Sequence, residues 1–287
     1  MPPVALVTDT CHYLPRELVE RCALHEVSLY VHAGATAQRE REIDDYDAYF
    51  ERLAAAAAGD LPTTSQPSIG DFLEVYEPLI ASGHEIVSIH LSGGLSGTVR
   101  AAEQAREQLG AAAERVHVID SETACGAEGL MLMAAAAAVS SGGDAAATAE
   151  RARQARDSLQ FLFSLDTLEY LRKGGRIGGA QAWLGSALKI KPILSLESEI
   201  GAVERVRTSR RAFDRLVALL EKLKADGADG WVVQHTHIPD QAASMVARGR
   251  EIFGTEPMFV SEIGPVIGTH IGPGLLGVGG TPRSLLT

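Results

Sequence analysis

Residues 85–102 read EIVSIHLSGGLSGTVRAA. The run Glu85–Leu91 is short, apolar and β-branched, as a buried strand requires. It stops at Ser92–Thr98, seven residues that are all serine, glycine or threonine except Leu95, and a run of good helix formers follows from Val99 to Leu109. A strand, a turn of small residues and a helix form the repeating unit of an open α/β sheet, and ligands collect at such turns. The turn itself has two readings. Its glycines and serines cap a helix with Ser96 as N-cap, or they form an anion cradle from free helix N–H groups and hydroxyls.

Working outward, the same alternation recurs. Val4–Thr8, Val27–Val31 and Arg115–Ser121 read as strands. Pro15–Cys22, Asp44–Ala58, Ile69–Ala81 and the alanine-rich stretch Gly126–Ser140 read as helices. Ser68 followed by Asp71 marks a capping box at the third of these. The stretch 129–140 is the most apolar segment, too short to span a bilayer, and reads as a buried helix. Ala145–Ser158 is a polar helix placed to bridge two domains. Beyond it the order changes. Phe161–Leu165 is a strand and Ala180–Leu188 a helix, and two strands flank a turn at Ser198–Gly201. Helix Arg211–Lys224, strand Trp231–His237, helix Asp240–Phe253 and strand Met258–Gly264 complete the chain. The expected fold class is therefore α/β with two domains. Residues 1–156 form an N-terminal parallel-sheet α/β domain and residues 157–287 a C-terminal α+β domain.

Composition bounds the function. At 287 residues, 46% hydrophobic and 22% charged, the chain builds a substantial core, and with 5% aromatics that core is aliphatic. A net charge of −11 argues against nucleic acid, and it leaves at most transient contact with an anionic membrane. Three scattered cysteines give neither a disulfide framework nor a zinc site. They fit a reducing cytoplasm, as does an N-terminus without a signal-peptide pattern.

Several sharper motifs fail by spelling. No lysine precedes Thr98, so the turn is not a P-loop, which argues against a self-sufficient kinase. Gly94-Leu95-Ser96-Gly97-Thr98 misses a nucleophile elbow by one glycine. Gly272-Pro273-Gly274-Leu275-Leu276-Gly277 spells a dinucleotide fingerprint, but no helix or acidic residue is expected after it. What remains is four loops: Ser92–Thr98, Thr63–Ser68, Asp166–Gly179 with Arg172, Lys173 and Arg176, and Gly264–Gly274 with Thr269 and His270. They offer hydroxyls, a guanidinium and an imidazole. They carry no H-x-H, no H-E-x-x-H and no evident carboxylate pair, so no metal is expected. This inventory suits holding a carboxylate better than breaking a bond. The enzymatic alternative is a serine esterase using Ser96 and His270.

In order, the chain carries Val7-Thr8-Asp9-Thr10, Thr64-Ser65-Gln66-Pro67-Ser68, Leu91-Ser92-Gly93-Gly94-Leu95-Ser96-Gly97-Thr98, Val118-Ile119-Asp120-Ser121, Leu171-Arg172-Lys173-Gly174-Gly175-Arg176-Ile177 and Gly264-Pro265-Val266-Ile267-Gly268-Thr269-His270. Together these resemble the DegV family over nearly the whole length. The resemblance implies a two-domain cytoplasmic bacterial protein that holds one long-chain fatty acid between its domains and needs no other cofactor. It further implies a lipid-carrying subunit with no complete catalytic site, which presents the acid to a separate ATP-using, dihydroxyacetone-kinase-like partner for acyl-phosphate formation. By similarity, Thr64 and Ser96 bind the carboxylate, Ser92 and Gly97 line the same cradle, and Arg176 and His270 stand near the head group or the partner. The sequence departs from the family pattern at Thr10, Tyr13, Gly93, Ile69 and Leu275, and keeps Thr64, Ser96, Arg176 and His270.

Overall fold

The structure is a computed structural model that describes residues 2–56, 60–184 and 190–287. The chain begins with strand β1 (Val4–Asp9), helix α1 (Arg16–Arg21) and strand β2 (Leu24–Val27). A small antiparallel sheet is then inserted from β3 (Tyr30–Ala33), β4 (Thr36–Arg39) and β5 (Thr63–Ser65), with helix α2 (Tyr46–Ala55) between the last two. Helix α3 (Ile69–Ala81), β6 (Glu85–His90), α4 (Thr98–Gln108) and β7 (Val116–Asp120) complete a four-stranded sheet of order β2-β1-β6-β7, parallel throughout. The capping box at Ser68 and Asp71 forms in both directions and starts α3 at the expected residue.

Helices α5 (Cys125–Ser140) and α6 (Ala145–Asp157) lead to the second half. There β8 (Gln160–Ser164), α7 (Glu169–Lys173), β9 (Lys191–Glu197), β10 (Glu199–Val206), α8 (Ser209–Ala225), β11 (Gly230–His235), α9 (Pro239–Phe253), β12 (Phe259–Glu262), α10 (Pro265–Ile271) and β13 (Leu276–Thr281) follow. The six strands form one mixed sheet of order β10-β9-β8-β13-β11-β12, antiparallel except for the last pair. The parallel α/β unit followed by an α+β unit is as the sequence predicts.

Helix α5 holds the halves together. It is buried over most of its length because alanine, leucine and methionine surround it on every side. Its core cluster joins Leu6, Val87 and Ile119 of the parallel sheet to Val232 and Phe259 of the mixed one. Helix α6 does bridge, since Arg151 donates to the carbonyls of Ser284, Leu285 and Thr287 near the C-terminus.

Several details differ from the sequence reading. Val27–Val31 is two strands, broken at Ser28 and Leu29. The loop at Thr63 is a short strand because its backbone pairs with β3. The segment after Gly264 is a helix, started by Pro265 at its first position and ended at Gly272 (φ +72°). The dinucleotide look-alike leads into no helix, as expected: Gly272–Leu275 is irregular and Leu276 and Gly277 open strand β13, where a Cβ at Gly277 would stand 3.1 Å from the Phe161 ring. The helix expected over 180–188 is a 3-10 turn at Gly178–Trp183, and its remainder lies largely outside the described residues, as do the last two residues of the helix expected over 44–58.

Candidate functional site

The turn after β6 is built by its neighbours. The Leu91 N–H donates to Asp9 Oδ2 at 2.9 Å, and the Gly93 N–H is shared between both Asp120 oxygens at 3.1 Å. The N–H groups of Ser92, Leu95 and Ser96 donate to backbone carbonyls, and that of Gly94 to Ser92 Oγ. Every N–H from Leu91 to Ser96 is therefore spent, so these residues offer no free N–H groups to an anion, which was one of the two readings of the turn. The glycines serve close approach. A Cβ at Gly94 would stand 2.5 Å from the Ser198 carbonyl in the β9–β10 turn, and one at Gly97 would stand 2.2 Å from Gln66 Oε1. Gly97, not Ser96, is the N-cap of α4, and Ser96 Oγ accepts from the Thr98 N–H and pairs with the Thr98 hydroxyl at 2.9 Å.

Above this turn lies a cavity of about 280 Å³ between the two halves. It stands near the lower end of the usual ~300–1,000 Å³ for small-molecule sites. Leu29, Leu91 and Leu95 line it from the first half, and Phe163, Leu196 and Ile263 are among those lining it from the second. Its polar lining includes Thr64, Ser96, Arg176 and His270. A second, more polar groove of about 360 Å³ shares Thr64, Arg176 and His270 with it and adds Tyr170 and Lys173. Those three side chains thus separate an apolar chamber from a polar one.

Strand β5 carries Thr64 and α10 carries His270, and Thr64 Oγ1 meets His270 Nε2 at 2.7 Å. Burial, then the nearby Arg176 cation, lowers the His270 pKa to about 4, so the ring is neutral at neutral pH. Its Nδ1 is buried and has no hydrogen-bond partner. An unprotonated Nδ1 is the less costly orphan, which places the proton on Nε2, donating to Thr64. The Thr64 hydroxyl is then free to donate into the cavity. Arg176 is pinned by Nε to the Leu95 carbonyl (3.2 Å) and by Nη1 to the Gly174 carbonyl (2.7 Å).

Helix α10 is short, and its position is fixed from the first half. Glu40 accepts from the Val266 N–H (2.7 Å), the Tyr13 hydroxyl (2.8 Å) and the Thr10 hydroxyl (2.5 Å), and Tyr13 in turn accepts from the Ile267 N–H. Burial pushes the Glu40 carboxyl up to about 7, against those donors. Tyr49 and Thr269 add a 2.6 Å hydroxyl pair. Sequence reasoning missed Glu40 because Arg39-Glu40-Arg41-Glu42 looks like a solvated charge run.

The structure brings Thr64, Ser96, Arg176 and His270 to one cavity. It does not bring Ser92 there: that side chain is buried, and its hydroxyl donates to the Ser198 carbonyl at 2.5 Å. Gly97 borders the site through Gln66. An esterase arrangement does not form, because Ser96 engages Thr98 and His270 engages Thr64. A different Ser-His-Asp array exists at Ser88, His90 and Asp9, but all three are fully buried, and Tyr76 donates to Ser88. No substrate reaches it. Cys125 also lines the cavity, and burial holds its thiol protonated.

The family model described as "Uncharacterised protein, DegV family" matches residues 3–283. A DegV domain-containing protein of Streptomyces coelicolor is 43% identical over 286 residues, covering 96% of this chain and 97% of its own. Among solved structures, a DegV family protein from Thermus thermophilus, described by its fatty acid binding, superposes with a TM-score of 0.88 at 32% identity and covers 98% and 100% of the two chains. DegV of Bacillus subtilis, described as a fatty acid binding protein, gives 0.87 at 32% identity, covering 97% and 99%. Among the described residues, no helix is long and apolar enough to cross a membrane.

Proposed function

This chain belongs to the DegV family, and from that premise we propose that it binds one long-chain fatty acid in the cavity between its halves, with the carboxylate at Thr64 and Ser96. The observation that carries the reading is the division of that cavity, apolar along most of its lining and polar where Thr64, Ser96, Arg176 and His270 meet. A tail of ~15 methylenes at about 0.8 kcal/mol each yields on the order of 12 kcal/mol gross, so the tail supplies affinity. A buried carboxylate is costly without donors. The Thr64 and Ser96 hydroxyls donate to it, and Arg176 supplies opposite charge. Ser92 and Gly97 serve by position: Ser92 ties the turn to the β9–β10 hairpin, and Gly97 leaves room for Gln66.

The protein presents its acid to a separate ATP-dependent kinase subunit of the dihydroxyacetone-kinase-like type, and in this role it is a cytoplasmic lipid carrier without a complete catalytic site. The polar groove with Lys173 and Arg176 supports that role, because it reaches the same Thr64 and His270 from outside and offers cations to a transferring phosphoryl group. The test is Thr64→Val with Ser96→Ala. Fatty acid binding, followed by displacement of a fluorescent analogue, weakens in the double variant while its circular dichroism stays native. Undiminished affinity would remove the carboxylate assignment.

A further inference from the structure

Away from the cavity, three ligand-type side chains converge from distant parts of the chain. Asp47 stands in the first turn of α2, His237 lies two residues past β11, and Glu262 is the last residue of β12. His237 Nδ1 lies 2.9 Å from Asp47 Oδ1, and the His237 N–H donates to Glu262 Oε1 at 2.8 Å. One ligand atom from each residue lies within 4.8 Å of the others. A fourth group stands beside them. His235 is the register partner of Glu262 in a parallel strand pair, so the two side chains leave the same face of the sheet. It is only 8% exposed, and its Nδ1 has no hydrogen-bond partner. A buried imidazole nitrogen left unpaired beside a carboxylate needs an explanation.

We propose that Asp47, His237 and Glu262 bind one divalent transition-metal ion of the zinc class, with His235 as the buried neighbour of the Glu262 ligand. Two carboxylates and a neutral imidazole balance a 2+ charge, and three protein ligands with an open solvent position are a common zinc arrangement. The imidazole argues against magnesium and calcium, which take oxygen ligands. The His237–Asp47 separation is close to that needed, and the Glu262 oxygen, within 4.8 Å of both, has at most about 1.5 Å to close. Metal–ligand bonds of about 2.0–2.2 Å in a tetrahedral site put neighbouring ligand atoms roughly 3.3–3.5 Å apart. Asp47 therefore has to move by only a few tenths of an ångström from His237, and its side chain is 80% exposed and free to do so. The exposed side also gives the ion an entry path. The ion would replace the His237–Asp47 hydrogen bond with two metal bonds and tie α2 to the corner between β12 and α10. The pattern His235-Thr236-His237 is a spaced histidine pair outside the four loops on which the expectation of no metal rested.

The test is calorimetric titration of the chelator-treated full-length protein with Zn²⁺ alone, in a non-coordinating buffer, for the wild type, Asp47→Ala and His237→Asn. Asp47 is not the cap of α2, a role held by Asp45, and asparagine suits the left-handed backbone of His237 (φ +53°), so both variants keep the fold. The expected result is one ion per chain, bound at least about tenfold more weakly by each variant, with millimolar Mg²⁺ failing to compete. No saturable binding, or binding equally tight in both variants, would overturn the site, the latter by placing the ion on other histidines.

Discussion

Replacing Glu40 by glutamine isolates one buried charge. The carboxyl is 2% exposed, holds three donors and links the segment after β4 to the first turn of α10. Burial raises it from an ordinary 4.5 to about 7. Between those values the folded protein holds more proton than the unfolded chain, so this group's contribution to stability falls as pH rises through the window and is flat above it. The gap corresponds to roughly 3 kcal/mol. Glutamine keeps the size and the Oε1 acceptor but does not titrate. Urea unfolding followed by circular dichroism, in steps from about pH 4 to about pH 8, measures both proteins. The stability of the wild type minus that of Glu40→Gln is expected to fall by about 3 kcal/mol between pH 4.5 and 7. Parallel profiles would refute the reasoning, since they would mean that Glu40 titrates as an exposed carboxylate does.

His270→Asn has the opposite sign. The ring's pKa is lowered from 6.5 to about 4, so its contribution is complete above 6.5 and is lost as pH falls toward 4, and the same unfolding series shows the variant losing less on that acid side. Gly249→Ala places a Cβ 2.3 Å from the ring of Trp231, which is fully buried and stacked on Phe253. The expected cost of about 1–3 kcal/mol outweighs the gain in helix propensity, and a thermal melt measures it. Ser92→Ala removes the hydrogen bond to the Ser198 carbonyl at a cost of about 1 kcal/mol, read in denaturant, and weakens fatty acid binding less than Ser96→Ala does, because Ser92 positions the turn but does not line the cavity.

What the sequence could show was local. The capping box at Ser68 fixed the start of α3, and the uniform apolarity of α5 marked its burial. The strand at Thr36–Arg39 went unread because it is mostly exposed and shows no apolar alternation, so only pairing with β3 makes it a strand. Helix α10 was hidden by glycines that also spell a loop, although Pro265 and Gly272 are ordinary start and stop signals. At the site, Thr64, Ser96, Arg176 and His270 were legible as motif residues, whereas the Thr64–His270 hydrogen bond joins residues 206 positions apart and no local pattern encodes it. Ser92 shows the limit of motif reading: the residue type suits an anion, but its hydroxyl is committed to the β9–β10 turn. Glu40 was passed over because charge patterning cannot tell a solvated run from one that the fold closes over.

The central claim is that the cavity between the halves holds the tail of one fatty acid. Native mass spectrometry of freshly purified protein, followed by solvent extraction and lipid analysis, tests it most directly. The account predicts one fatty acid per chain, or its uptake at that stoichiometry when an apo sample is titrated with fatty acids. A chain that stays apo through the titration would contradict it.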